Sequence, residues 1–185
     1  MFEEAICFAV EAHCGQVRKG ETVPYIVHPM EVAAICATIT ADPEVLAAAV
    51  LHDTVEDTDT TPEEIERRFG RRVAALVASE TEDKRVDLPP DETWRIRKEE
   101  SLEDLKNATD PGVKILWLGD KLANIRSFRR RQTRCGDELW EIFNQKDPGQ
   151  QAWYYRRIVG LLRELENTDA WRELNDGVEY LFKGV

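Results

Sequence analysis

Apolar residues recur along this chain at helical spacing, and no segment sustains a period-two alternation. The first stretch, residues 2–14, places Ala5, Phe8, Ala9 and Ala12 on one face, which predicts a helix with a single buried stripe. A turn-rich interval from Gly15 to Pro24 follows. Pro29 is suited to opening a second helix, whose inner face would carry Val32, Ile35, Cys36 and Ile39. Asp42-Pro43 reads as a cap with proline at the first helical position, leading into the apolar run Val45 to Leu51. Thr61-Pro62-Glu63-Glu64 repeats that signature, with acidic residues near the helix dipole's positive end, and Gly70 is a suitable stop.

The pattern then predicts a short helix over 71–79, a polar stretch over 80–92 as the best candidate for a long mobile loop, and a helix over about 93–108. Asp110-Pro111 starts the next one. Breaks at Gly136 and at Asp147-Pro148-Gly149 precede helices over about 150–166 and 169–182. No repeat or low-complexity linker interrupts the series. The expectation is an all-α fold, one domain over 1–185, built as a bundle of about eight to ten helices.

Composition narrows the function classes. The chain has 185 residues, 36 acidic and 25 basic, for a net charge of −11. Such a balance argues against nucleic acid or an anionic membrane as partner. No apolar run approaches the roughly 20 residues of a membrane-spanning helix, and the start Met1-Phe2-Glu3-Glu4 lacks the basic flank of a secretory signal. A cytoplasmic location is therefore expected. Cys7, Cys14, Cys36 and Cys135 form no C-x-x-C pair, so a zinc ribbon is excluded and reduced, packed thiols are expected.

The candidate chemistry gathers around two of the three histidines. His52-Asp53 closes the apolar run, and Glu56 and Asp57 follow four residues on. One further helical turn would stack Glu56 over His52 and Asp57 over Asp53. His28 lies between Pro24 and Pro29, in a segment those prolines stiffen. Asp120 and Asn124 share a face in a helix whose buried stripe is Ile115, Leu118, Leu122 and Ile125. An aspartate in so apolar a stretch is costly unless paired or bound to metal. His28, His52, Asp53 and Asp120 make a set of two imidazoles and two carboxylates suited to Mn²⁺, Fe²⁺ or Zn²⁺.

Taken in order, the motifs Ala9-Val10-Glu11-Ala12-His13, Gly15-Gln16-Val17-Arg18-Lys19, Pro24-Tyr25-Ile26-Val27-His28-Pro29, His52-Asp53-Thr54-Val55-Glu56-Asp57-Thr58 and Asp120-x-x-x-Asn124-x-Arg126 resemble the HD-domain hydrolase of the RelA/SpoT family. The match covers roughly 5–130, with a helical extension over 136–183, and is nearest to the stand-alone small alarmone hydrolases. The resemblance implies removal of the 3′-pyrophosphate of (p)ppGpp with Mn²⁺ (or another divalent transition metal). It makes His28, His52, Asp53 and Asp120 the metal ligands, and Glu56 and Asp57 the pair that orients and deprotonates water. It also places Arg18, Lys19, Asn124 and Arg126 against the nucleotide, with Tyr25 lining the same pocket and His13 a packing residue. Three positions depart from the pattern: Trp117 and Gly119, in Trp117-Leu118-Gly119-Asp120 where the family commonly reads Lys-Leu-Ala-Asp, and Ala123, where it has histidine or tyrosine.

Charge is distributed as a phosphate-rich ligand would need it. Residues 1–60 hold 11 acidic side chains against only Arg18 and Lys19, whereas residues 114–134 hold seven basic residues against Asp120 alone. Two alternatives stay open: the same chemistry on another nucleotide (a dinucleotide 2′-phosphate or a (deoxy)nucleotide), and a non-catalytic module that binds alarmone. The sequence leaves the oligomeric state open.

Overall fold

Four helices begin at a proline preceded by a residue whose side chain caps them. Asp42 accepts from the Glu44 amide at 3.0 Å, Thr61 from Glu64 at 3.2 Å, Asp110 from Gly112 at 2.8 Å and Asp147 from Gly149 at 2.7 Å. Each cap satisfies one backbone donor that the first turn leaves unpaired. The computed structural model describes residues 1–82, 85 and 87–185, and among them the fold is all-α, with one isolated bridge between Val17 and Pro24.

The helices are α1 (Phe2–Ala12), α2 (Val27–Cys36), α3 (Pro43–Leu51), α4 (Thr54–Asp57), α5 (Pro62–Phe69), α6 (Arg71–Ala78), α7 (Pro90–Asn107), α8 (Pro111–Cys135), α9 (Pro148–Leu161) and α10 (Asp169–Leu181). A 3₁₀ turn, Gly136–Ile142, follows α8 directly at Gly136. Three starts differ from expectation, α9 among them, beginning at Pro148 rather than about 150. α2 begins at Val27, two residues before Pro29, because proline lacks only a backbone donor that the first turn leaves unused. α7 begins at Pro90 rather than 93, for the same reason at its first position. The expected loop over 80–92 includes residues 83, 84 and 86, which lie outside the described residues.

The chain divides into two compact units, Met1–Thr81 with Ala108–Asp120, and Glu82–Asn107 with Lys121–Val185. In the first, α3 is the axis. It contacts α1, α2 and α6, and its Ala47, Ala48, Ala49, Val50 and Leu51 have no exposed surface. A helix apolar on every side needs neighbours on every side. Small residues let them approach. A Cβ on Gly112 would stand 2.8 Å from a Val45 methyl, and one on Gly119 would stand 2.6 Å from the Cys36 sulfur. The second unit packs α9 against α7 and α10 around an aromatic core. There Trp140 and Tyr155 both stack on fully buried Phe182, at 5.4 and 6.0 Å between ring centroids.

Candidate metal centre

The end of α3 sets the site. The helix stops at Leu51, His52 and Asp53 keep α-region torsions, and α4 resumes at Thr54, so the Asp57 amide still donates to the Asp53 carbonyl at 2.9 Å. The expected extra turn exists, in two pieces. The Nδ1 of His52 lies 2.9 Å from the Ala49 carbonyl, three residues back. A carbonyl only accepts, so Nδ1 carries the proton and Nε2 presents a lone pair when the ring is neutral.

That Nε2 is buried and makes no hydrogen bond among the described residues. It lies 3.0 Å from Asp53 Oδ2 and 3.7 Å from Asp120 Oδ1. From the first turn of α2, His28 Nε2 reaches to 3.6 and 3.1 Å of the same two oxygens. His28, His52 and Asp120 are all buried, and one ligand atom from each falls within 4.8 Å of the others. Bonds of about 2.1 Å to a shared cation set neighbouring donors about 3.0 Å apart at right angles. A lone pair aimed at carboxylate oxygens is repulsive unless positive charge lies between them. The set therefore fits a divalent cation, held by two imidazoles and two carboxylates.

Proton affinities carry the same message. Burial alone would lower His52, but the carboxylates of Asp53 and Asp120 outweigh it and hold the ring well above the ordinary histidine range. Burial would raise Asp53, yet the facing His52 keeps it below the usual carboxylate range. Burial dominates at His28 and lowers it, with Arg18 adding in the same direction.

Tyr25 connects the metal cluster to α4. Its hydroxyl donates to Asp53 Oδ2 at 2.6 Å and to Asp57 Oδ2 at 3.2 Å, and burial with those carboxylates holds the phenol far above its normal range. The sequence pointed to Tyr25 only as a pocket wall; the structure makes it the tie between two of the expected functional carboxylates. A second tie escaped sequence reading. The Gln16 amide donates to the Asp57 carbonyl at 2.8 Å, while its oxygen meets His13 Nδ1 at 2.9 Å. His13 is buried and lies against the Tyr25 ring. The signal was available, because His13 and Gln16 are three apart at a helix end, but their partner is 41 residues away.

Glu56 is half-buried on α4, and Asp57 is exposed beside it. Arg18 and Lys19 sit on the loop that Arg18 closes by donating its amide to the Val23 carbonyl at 3.0 Å, Arg18 half-buried and Lys19 exposed. In the second unit Asn124 is half-buried, one helical turn beyond Asp120. Arg126 follows on the same helix, half-buried. Its guanidinium grips Glu173 with two bonds of 2.6 Å.

Among the described residues this is an all-α domain with a buried His-His-Asp group that could hold a metal ion. The family model for the HD domain matches residues 5–145, so the chain belongs to the HD domain family. It is 39% identical over 184 residues to the human guanosine-3′,5′-bis(diphosphate) 3′-pyrophosphohydrolase MESH1, a match covering 97% of this chain and 92% of that protein. The zebrafish (Danio rerio) protein of the same name is 43% identical over 186 residues, covering 98% and 93%. A solved structure described as a metazoan ortholog of SpoT that hydrolyzes ppGpp superposes with a TM-score of 0.75 at 28% identity, over 100% of this chain and 96% of that one.

Proposed function

We propose that this chain hydrolyses the 3′-pyrophosphate of (p)ppGpp, with Mn²⁺ held by His28, His52, Asp53 and Asp120. The observation that carries the metal part is the unpartnered, buried Nε2 of His52, aimed with His28 Nε2 at the oxygens of Asp53 and Asp120. The substrate part rests on full-length similarity to named ppGpp hydrolases. A bound divalent cation supplies Lewis-acid polarisation of the phosphoryl oxygen and makes water acidic enough to ionise near neutral pH.

The chain's own groups do the rest. Glu56 and Asp57 accept the proton of the attacking water and aim it at phosphorus. Tyr25 keeps the Asp53 and Asp57 carboxylates in a fixed relation, and the Gln16 amide fixes the backbone beneath Asp57. Arg18 and Lys19, the basic pair in an acidic first third, receive the polyphosphate, and the family pattern adds Asn124 and Arg126 as nucleotide contacts. On this reading residues 1–185 serve one hydrolase. With no described helix long and apolar enough to cross a membrane, and no basic surplus to attract nucleic acid, a small nucleotide in the cytoplasm is the expected partner.

The test is a panel of nucleotides incubated with the purified chain and Mn²⁺. Release of pyrophosphate from ppGpp, lost on chelation and restored by Mn²⁺, is expected. Metal-dependent release of phosphate from another nucleotide, with ppGpp intact, would transfer the reading to that substrate.

A further inference from the structure

On α8, Arg126, Arg129, Arg130 and Thr133 stand at i, i+3, i+4 and i+7, a single stripe along one face. That spacing normally carries the apolar residues that seat a helix on its neighbour. Here it carries three guanidinium groups and a hydroxyl, and the neighbour is α10. The two helices approach closely at Gly177, where a Cβ would stand 2.5 Å from the Ile125 methyl. Glu173 and Tyr180, four before and three after that glycine, flank the crossing. Together these six side chains line an open groove of about 380 Å³, within the range of small-molecule sites.

The groove is ordered before any ligand arrives. Glu173 fixes Arg126 through two 2.6 Å bonds, and the Arg126 charge keeps Glu173 below its ordinary carboxylate range. Arg129 lies over the Tyr180 ring, 4.8 Å from its centroid. Tyr180 is nevertheless 60% exposed, the most exposed large hydrophobic side chain described. Three arginines therefore share the lining with one carboxylate, in a chain whose net charge is −11. The Arg126 fork holds Glu173, so Arg129 is the planar fork that would meet phosphate oxygens two at a time, and the part of Tyr180 that Arg129 does not cover suits a purine or pyrimidine ring. Apart from Arg126, none of the lining residues is among the expected ligands, carboxylates or nucleotide contacts of the hydrolytic site.

We propose that this groove is a second anion site, built for a diphosphate group, with Tyr180 positioned to stack the base when that group belongs to a nucleotide. The proposal rests on the groove alone and needs no assumption about the reaction.

The experiment is isothermal titration of the full, Mn²⁺-loaded chain with inorganic pyrophosphate and, separately, with GDP, comparing wild type with Arg129→Glu, Arg129→Lys and Tyr180→Ala. Circular dichroism first confirms that each variant keeps its helix content. Wild type is expected to show a pyrophosphate-binding event that Arg129→Glu weakens by about tenfold or more and Arg129→Lys, which keeps charge but loses the fork, weakens less. If Tyr180→Ala weakens GDP and leaves pyrophosphate unchanged, the occupant is a nucleotide; if it changes neither, the occupant is a free phosphate chain. Isotherms for both ligands that are the same in wild type and Arg129→Glu would overturn the proposal, and the hydrolytic reading would stand untouched.

Discussion

The two compact units bury charge in opposite ways. In the first, two imidazoles and two carboxylates converge with their donor atoms 3.0 to 3.7 Å apart, and the His52 Nε2 finds no donor. In the second, charged groups close upon each other. Glu82 accepts from Arg97 at 2.8 Å, from the largely buried Lys98 at 2.5 Å and from Ser101 at 3.2 Å. One arrangement is complete without a ligand and the other asks for a cation. Like residue types can thus hold a fold together or hold a ligand, and whether every polar atom is satisfied from within separates the cases.

The largest effect belongs to the unfinished cluster. Asp53→Ala removes the oxygen shared by His52, His28 and the Tyr25 hydroxyl. Hydrolysis is expected to fall by roughly 10³-fold or more, with bound metal lost in elemental analysis and helix content unchanged. If Asp53→Ala retained metal and activity, the distinction between the two clusters would fail.

The closed cluster is broken by truncating its carboxylate. Burial lowers Lys98, and Glu82 is what sustains its charge. Glu82→Leu should cost about 3–5 kcal/mol, because a buried ammonium loses its partner. Adding Lys98→Met should recover most of the loss, since an apolar pair leaves no buried charge. Thermal unfolding of the single and double variants measures both; an additive double variant would show that the two residues do not act as a pair.

How far the sequence discloses each cluster follows from range. Asp42, Thr61 and Asp110 announce their helices because a cap acts within three residues, and each starts where the pattern places it, whereas Asp147 reads as a break and caps a helix that starts at Pro148. His52, Asp53 and Asp120 stand out because polar residues end or interrupt apolar runs. The Tyr25 bridge and the Gln16 clamp do not, since their partners lie 28 and 41 residues away and tertiary packing alone joins them. The same holds for the Arg126 pairing, whose partner Glu173 lies 47 residues away. Gly119 is instructive. It departs from the family's alanine, and a methyl there would stand 2.6 Å from the Cys36 sulfur.

That exchange is a smaller lever on the unit with the candidate metal centre. Cys36 is fully buried, donates to the Ile115 carbonyl at 3.5 Å, and has its thiol pushed up to about 12, chiefly by burial. It is a packing residue. Gly119→Ala alone should destabilise by about 1–3 kcal/mol through overpacking, and disturb metal affinity because Asp120 is the next residue. Gly119→Ala with Cys36→Ala should recover part of both, since the sulfur is removed while the Val32 methyl and carbonyl, each 3.2 Å from such a Cβ, remain. Urea denaturation with metal titration reads the two effects, and a double variant worse than either single would mean that the close approach has another cause.

The smallest effect tests whether the first unit also contains closed charge. Arg72 donates to Asp110 at 2.7 and 3.1 Å, to Asp42 at 2.7 Å and to Glu44 at 2.8 Å, tying the starts of α3 and α8 to α6. Its hydrogen bonds hold Asp42 and Asp110 below the ordinary carboxylate range. A carboxylate whose pKa is lower folded than unfolded adds stability above its unfolded value, near 3.9, and loses it as pH falls through the folded value. These side chains are about one-third exposed, 32 to 34%, so solvent screening limits Arg72→Ala to about 1 kcal/mol or less. The difference between wild type and Arg72→Ala should be constant from pH 7 to 5, shrink below pH 4, and shrink again in high salt. Urea midpoints across that pH range measure it. A difference that persisted at pH 2 would trace the Arg72 contribution to the packing of its methylene stem rather than to its charge.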